Sequence, residues 1–478
     1  MGPAVRTIAI IGAGPSGLAA ARQLAAEKIF TKIDIFEQRS ATGGVWNHSD
    51  LDAEPGFSIP RQTPINQPDS YTTDTAGVQF VSPVYDNLET NLTHGIMSFS
   101  DHSFPSGTIL FPRHEEVLKY LRLYGKELED QILFQKQVIR VEKIHTAEKP
   151  KWDVKVKDLL TDEVLIFEYD AVMVASGHYS EPFLPAIEGI EGFNQQFPAI
   201  ISHAKYYRRP EKHKGKKVIV VGNSASAIDI SNQISEHAAL PVIISIKDDE
   251  YAFNSESSNS WSTRFPQIEE FLPAHRGVRF SNGHVEHDID SVIFCTGYHY
   301  IFPFLKQSVN PVFVPSGAYA DHLWHHMIYT KDPTLAFLCI PQQIAPFPFG
   351  EGQAAVIARI WSGRLETPST DEMDQWVNNL RAAKGDAKAR HLLGTPGNIA
   401  YTNMFYDMCS KATPRSELGL ENNGMGKLPI YWDEEMSWIR LMTLNIKLAM
   451  RALGERRREV TTLKQLGFDF ETWKVQQR

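Results

Sequence analysis

The sequence predicts an α/β fold that holds two copies of one strand–loop–helix unit, and three observations predict it. Two short, nearly continuous apolar runs, residues 7–11 (TIAII) and 217–221 (KVIVV), have the character of parallel strands buried on both faces. Each breaks into a loop of small residues, Gly12-Ala13-Gly14-Pro15-Ser16-Gly17 and Gly222-Asn223-Ser224-Ala225-Ser226-Ala227, and each loop runs into apolar residues at helical spacing. A further strand follows both helices, at residues 33–36 and 242–246. The copies lie about two hundred residues apart, and the recurrence argues for two units of one kind.

In the first copy each part has a physical task. Gly12 allows the tight turn, Gly14 lets the backbone approach a pyrophosphate, and Gly17 lets the helix pack close to the strand. The helix N-terminus, which opens at Pro15 and Ser16, offers the free N–H groups beyond the proline and the positive end of its dipole to phosphates. Glu37, twenty residues past Gly17, can accept hydrogen bonds from both hydroxyls of an adenosine ribose, and its charge would repel a 2′-phosphate. A GxGxxG loop set between strand and helix and followed by such an acid is a dinucleotide-binding (Rossmann-like) signature.

After Glu37 the chain of such a fold passes back over the nucleotide, here through Gln38 to Gly43-Gly44-Val45-Trp46. The glycine pair permits close approach, and Trp46 reads equally as a flat apolar wall or as core packing. Residues 49–79, rich in Pro, Asp, Thr and Ser, read as a surface excursion. An amphipathic helix follows residues 111–114, residues 154–156 and 164–167 alternate like a hairpin, and 171–175 is another buried strand. That strand ends in Ser176-Gly177, small residues that let backbone touch a cofactor.

In the second copy Ser224 and Ala227 replace glycines, both remaining small, and Ser224 adds a hydroxyl for phosphate. Its next strand ends in Lys247 rather than an acid, which favours a 2′-phosphate and so NADPH over NADH, with Asp248 and Asp249 directly behind. Residues 290–297 (DSVIFCTG) form one more strand, ending at Thr296-Gly297 and then Tyr298. The run Asp321-His322-Leu323-Trp324-His325-His326 invites a metal reading. Adjacent histidines on an extended segment point to opposite faces and no acid or thiol set completes a sphere, so no metal is expected. Beyond residue 367 the chain reads as helical, with Trp376, Trp432 and Trp438 in core or groove positions and 451–458 (RALGERRR) as a solvated face.

Bulk properties narrow the function. The 478 residues carry 48 Lys+Arg against 57 Asp+Glu, a net charge of −9, which disfavours nucleic acid or an anionic membrane as the main partner. No apolar run reaches the ~18 residues of a spanning helix, and the chain enters its first strand without a signal peptide. Cys295, Cys339 and Cys409 give neither a disulfide framework nor a CxxC pair, so a reducing, cytoplasmic setting is expected.

Between the two loops lies Phe197-Pro198-Ala199-Ile200-Ile201-Ser202-His203-Ala204-Lys205-Tyr206-Tyr207. It matches FxGxxxHxxxY, the identifying sequence of the flavin-containing monooxygenases, with Ala199 where Gly is usual. The chain resembles that family, of the fungal type, over most of its length. GAGPSG, GGVW, YDNLETN, FPRH, ASGHY, the His203 segment, GNSASA and FCTGY fall in family order. The related Baeyer–Villiger monooxygenases usually have Trp at the position of Tyr207, so Tyr favours heteroatom oxygenation.

The resemblance implies two cofactors, FAD and NADPH. NADPH reduces the flavin, the reduced flavin forms a hydroperoxide with O2, and a soft amine nitrogen or sulfur takes the distal oxygen. It implies Asn91, in YDNLETN, as the active-site amide; a satisfied loop asparagine is the alternative. It further implies that Val138, His203, Tyr207, Thr296, Gly297 and Tyr298 border the cofactors, and that a helix over residues 353–362 points its N-terminus, at Gln353, towards the flavin's polar edge. The organisation expected is an FAD domain from residues 1–182 and 300–478, interrupted by an NADP domain at 183–299. The partners expected are O2 and a small nitrogen- or sulfur-containing molecule, with a homodimer as the assembly considered. The rival readings are a Baeyer–Villiger enzyme, a dedicated N-hydroxylase and a non-catalytic nucleotide sensor. A flavin disulfide reductase would need a cysteine pair near the flavin, and no two cysteines here lie within forty residues of each other.

Overall fold

The first apolar run becomes a strand, Thr7–Ile11, with parallel neighbours on both sides, Lys32–Glu37 and Ala171–Val174. The computed structural model describes residues 5–54, 57–74, 77–147, 149–248, 260–305, 313–385 and 387–476. The sheet extends through Ile132–Phe134 on one side and through Leu335–Phe337, Ile328–Tyr329 and Leu323–Trp324 on the other, seven strands in all. Side chains alternate across a strand, and here both faces are covered, which explains the unbroken apolar run. Ile8 and Ile10 join the core under the helices Pro15–Ala26 and Pro346–Trp361, while Ala9 and Ile11 face a three-stranded antiparallel sheet and pack with Val138, Trp152 and Val154.

The second apolar run repeats the arrangement. Val218–Val221 lies between parallel strands Ser291–Phe294 and Val242–Ser245, with Ile201–His203 and Ser262–Phe265 at the edges, five strands in all. Helix Ala225–Ile234 covers the face made by Val218 and Val220. The α/β fold with two dinucleotide-binding units is therefore the observed one. A two-stranded antiparallel ladder, Glu181–Pro182 against Tyr298–His299, joins them where the chain enters and leaves the second unit.

Four expectations need correction. The hairpin has a third strand, Lys136–His145, paired along its length with Pro150–Asp158, and the other arm is Val164–Tyr169. The helix expected from residue 353 begins at Pro346, because Pro is tolerated in a first turn where its missing N–H has no partner to lose. The segment 451–458 is not simply a solvated face: Arg451 pairs with Asp229 and Arg457 with Glu89. The DHLWHH run is extended only at Leu323–Trp324, and His322, His325 and His326 adopt left-handed backbone angles. Trp432 and Trp438 are buried, as expected, and Trp376 packs against the main core. Among the described residues no helix is long and apolar enough to cross a membrane.

The first helix and Pro346–Trp361 cross closely, a Cβ on Gly350 standing 2.8 Å from Cys339 Sγ and 3.1 Å from Ser16 Oγ. The next residue, Glu351, is fully buried and accepts hydrogen bonds from the Ser100 N–H and hydroxyl at 2.9 and 2.7 Å. Burial pushes its carboxyl from 4.5 up to about 7 despite those bonds. A carboxyl with a raised folded pKa stabilises the fold fully below its unfolded value, and the contribution is lost as pH rises through the folded one. The shift corresponds to a contribution on the order of 3 kcal/mol. Glu351→Gln should therefore flatten the fall in melting temperature between pH 4.5 and 7. An unchanged slope in thermal melts would assign the pH dependence to other groups.

Candidate functional site

Two glycines of the first loop are required by the protein's own packing. Gly12 has φ +104°, and a Cβ there would stand 2.7 Å from Ala175 O; on Gly17 it would stand 1.8 Å from Gly12 O. Gly14 differs. Its φ of −75° suits any residue, and a Cβ would meet only the Gly44 backbone at an ordinary 3.6 Å. The fold itself gives no reason for glycine at 14, whereas close approach of a pyrophosphate does. Gly44 faces it, at φ +56°, opening the short 3-10 turn Gly44–Trp46 that carries Val45. Pro15 opens the helix, and Ser16 donates its hydroxyl to Cys339 Sγ at 3.3 Å.

Glu37 is buried at the end of its strand. One carboxylate oxygen accepts the Ala13 N–H and the other the Arg39 N–H, both at 2.8 Å. A carboxylate has about four acceptor positions, so room for two ribose hydroxyls remains. Burial raises its pKa, opposed by the Arg39 charge and the two N–H bonds. Gln38 is held by Asp69, to which it donates at 2.8 Å, and by Gln137, whose amide donates to it at 3.1 Å. Val138 lies one residue beyond, its side chain in the core and its backbone next to a register shift that frees the strand locally. Ser176 and Gly177 are exposed where strand Ala171–Val174 ends, with open space beside Gly177.

The second loop superimposes on this logic. Gly222 has φ +122° and a Cβ there would stand 2.8 Å from Cys295 O, as Gly12 relates to Ala175. Asn223 is half-buried, while Ser224, Ala225 and Ser226 are exposed at the helix start. Ala227 replaces the third glycine and is buried, so this helix leaves room for one methyl group. Gly222 N–H donates to Ser245 O at 2.8 Å just as Gly12 N–H donates to Phe36 O. In that register the counterpart of Glu37 is buried Ile246, and Lys247, exposed, matches Gln38. Asp248 is turned aside, accepting from the Gln267 N–H and Ser281 hydroxyl. Asp249 lies outside the described residues.

The carboxyl ends of the two sheets meet. Thr296 donates its hydroxyl to Phe183 O, Phe183 N–H donates to Gly297 O at 2.9 Å, and the Tyr298 ring packs edge-on to Tyr179 at 5.4 Å, three residues past Ser176. Thus Ser176-Gly177 of one unit and Thr296-Gly297 of the other lie at one junction, with Ser176, Gly177 and Gly297 exposed.

Three expected ligand-facing groups act otherwise. His203 Nε2–H donates to Gly297 O at 3.1 Å and Nδ1 accepts the Lys205 N–H at 3.0 Å, so neither ring nitrogen remains for a ligand. Burial pulls it down to about 3, and it is a neutral clamp on the Gly297 turn. Tyr207 donates to Gln233 and packs on Tyr85, against the back of the second helix. Gln353 is mid-helix, its amide oxygen accepting the Cys339 N–H at 2.8 Å. Asn91 is exposed, and its neighbour Leu92 packs against the cluster that holds Phe347 and Trp46. Trp46 meets Phe347 edge-on at 6.1 Å and packs against the main core.

Sequence reading missed the groups that hold the linker. Lys205 Nζ donates to Glu54 at 2.7 Å and Ser180 O at 2.6 Å, Tyr206 donates to Glu54 at 2.9 Å, and buried Arg208 donates to Leu51 O and Tyr207 O. The available signal was a cation-rich KYYRR stretch directly after a strand. His48, Asp50 and Asp86 form a trio with metal-like spacing, but Arg209 reaches both carboxylates at 3.2 and 3.1 Å, making it an ion-pair network.

A model of the flavin-binding monooxygenase-like family matches residues 76–267 and 263–392, and one of an NAD(P)-binding Rossmann-like domain matches 10–69. Flavin-containing monooxygenase FMO GS-OX-like 2 of Arabidopsis thaliana is 32% identical over 424 residues, 84% of this chain and 85% of its own. The thiol-specific monooxygenase of Saccharomyces cerevisiae is 33% identical over 383 residues, 76% and 79% of the two chains. The solved structure of S-allyl-L-cysteine S-oxygenase from Allium sativum aligns with a TM-score of 0.75 at 28% identity, covering 99% of this chain and 98% of its own.

Glu37→Arg should replace the buried carboxylate beside the first loop by a cation and yield protein without flavin, read from the visible spectrum after purification. A fully loaded yellow variant would contradict the assignment of the first loop.

Proposed function

The chain belongs to the flavin-binding monooxygenase-like family, and from that premise we propose that it uses NADPH and O2 to oxygenate a soft nucleophile of a small molecule. Sulfur of a thiol or thioether is the first choice and amine nitrogen the second. The observation that carries this reading is the junction at which Ser176-Gly177 and Thr296-Gly297, each following a strand beside a glycine loop, come together. The sulfur preference draws on a thiol-specific and an S-oxygenating relative.

FAD with NADPH supplies the reduction and the activation of O2. The chain's residues bind and shield. Glu37 would accept the adenosine ribose hydroxyls of FAD, and the N–H groups of Gly14, Ser16 and Gly17 would receive its pyrophosphate through the gap that Gly14 leaves. The exposed Ser224 and Ser226 would offer N–H groups and hydroxyls to the phosphates of NADPH, and exposed Lys247 would supply a charge for its 2′-phosphate. Asn91 offers an amide that both donates and accepts, suited to hold a polar group beside the flavin while Trp46 and Phe347 exclude water. No thiolate takes part: burial pushes Cys295, Cys339 and Cys409 up to about 12. Those free, buried thiols support a reducing, cytoplasmic setting. The ladder of Glu181–Pro182 with Tyr298–His299 supports domain limits at 182–183 and 299–300.

Asn91→Ala should retain FAD yet divert most NADPH oxidation into hydrogen peroxide, a severalfold drop in thioether oxide formed per NADPH consumed. Unchanged coupling would remove Asn91 from the mechanism. Lys247→Ala should raise KM for NADPH about tenfold, the loss of one charged phosphate contact, while leaving NADH unaffected. Equal effects on both would place recognition of the 2′-phosphate elsewhere.

A further inference from the structure

Lys447 and Arg451 stand one turn apart on helix Thr443–Ala452 and so share a face. They reach two different segments. Buried Lys447 Nζ donates to Thr90 O at 2.6 Å and lies 3.7 Å from Glu89 Oε2, and Arg457 also binds Glu89, at 3.0 Å. Arg451 binds Asp229 at 2.8 Å, on the helix that opens at the second glycine loop, and the Tyr85 hydroxyl donates to the other Asp229 oxygen. Thr90 O and the Asn91 N–H belong to one planar peptide unit, so a donor that fixes that oxygen fixes the plane from which the Asn91 side chain leaves. A buried ammonium is costly unless paired, and this one is shared between Glu89 and, at the shorter distance, the backbone carbonyl beside Asn91.

We propose that Lys447 and Arg451 are positioning residues, which hold the Asn91 peptide in register with the second nucleotide loop through one C-terminal helix. This rests on the reading of Asn91 given above. Lys447→Met keeps the stem and removes the charge. It should retain FAD and hold KM for NADPH within about twofold, lower oxygenated product per NADPH about fivefold as a lost charged hydrogen bond would, and speed amide exchange at residues 90–93. In an Asn91→Ala background it should lower coupling no further. Arg451→Met should act in the same direction, with Arg451→Lys restoring coupling, and it serves should Lys447→Met not fold. The proposal is overturned if Lys447→Met couples like the wild type while Asn91→Ala does not, or if it lowers coupling further in the Asn91→Ala background. If Asn91→Ala alone couples normally, the reading of Asn91 fails, and uncoupling by Lys447→Met would then refute action through it.

Discussion

Each nucleotide loop is set by the carbonyl that ends a neighbouring strand. Ala175 O presses against Gly12 and Cys295 O against Gly222, so closely that no side chain fits at either glycine. Each loop is thereby tied to the strand whose following residues, Ser176-Gly177 or Thr296-Gly297, lie at the junction of the two units. A shift of either loop would have to move a fully buried strand in a sheet covered on both faces, and close-packed interiors resist such motion. The rest of the site hangs on these two contacts.

From there the two units are held by polar groups consumed entirely within the protein. His203 spends one ring nitrogen on Gly297 O and the other on the Lys205 N–H, and Lys205, Tyr206 and Arg208 hold Glu54 and Leu51 of the 49–79 excursion. Because His203 is neutral and buried, this clamp does not titrate in the physiological range. The family's identifying segment is thus bonded within the protein, while Lys247 and Asn91 are exposed.

The first loop was legible because each of its residues answers a local backbone demand: a left-handed turn at Gly12, contact at Gly17, space at Gly14. The second was legible mainly as a repeat, since Ser224 and Ala227 hide its glycine pattern. Pro346 and Pro348 hid the start of the long helix, because a proline in a first turn looks in sequence like a break. The roles of His203 and Tyr207 were not readable from their motif, which marks the family but not the bonding partner. The last hundred residues carried no motif for a related reason: Lys447 and Arg440 donate to the backbone carbonyls of Thr90 and Gln343, and backbone acceptors leave no trace in a sequence.

The central claim is that the two carboxyl edges bring both nucleotides face to face in one cleft. Anaerobic mixing of the purified yellow enzyme with NADPH deuterated at the transferred position tests it most directly. The account predicts stoichiometric bleaching of the bound flavin with a primary isotope effect on the bleaching rate. Flavin that stays oxidised while NADPH demonstrably binds would contradict it.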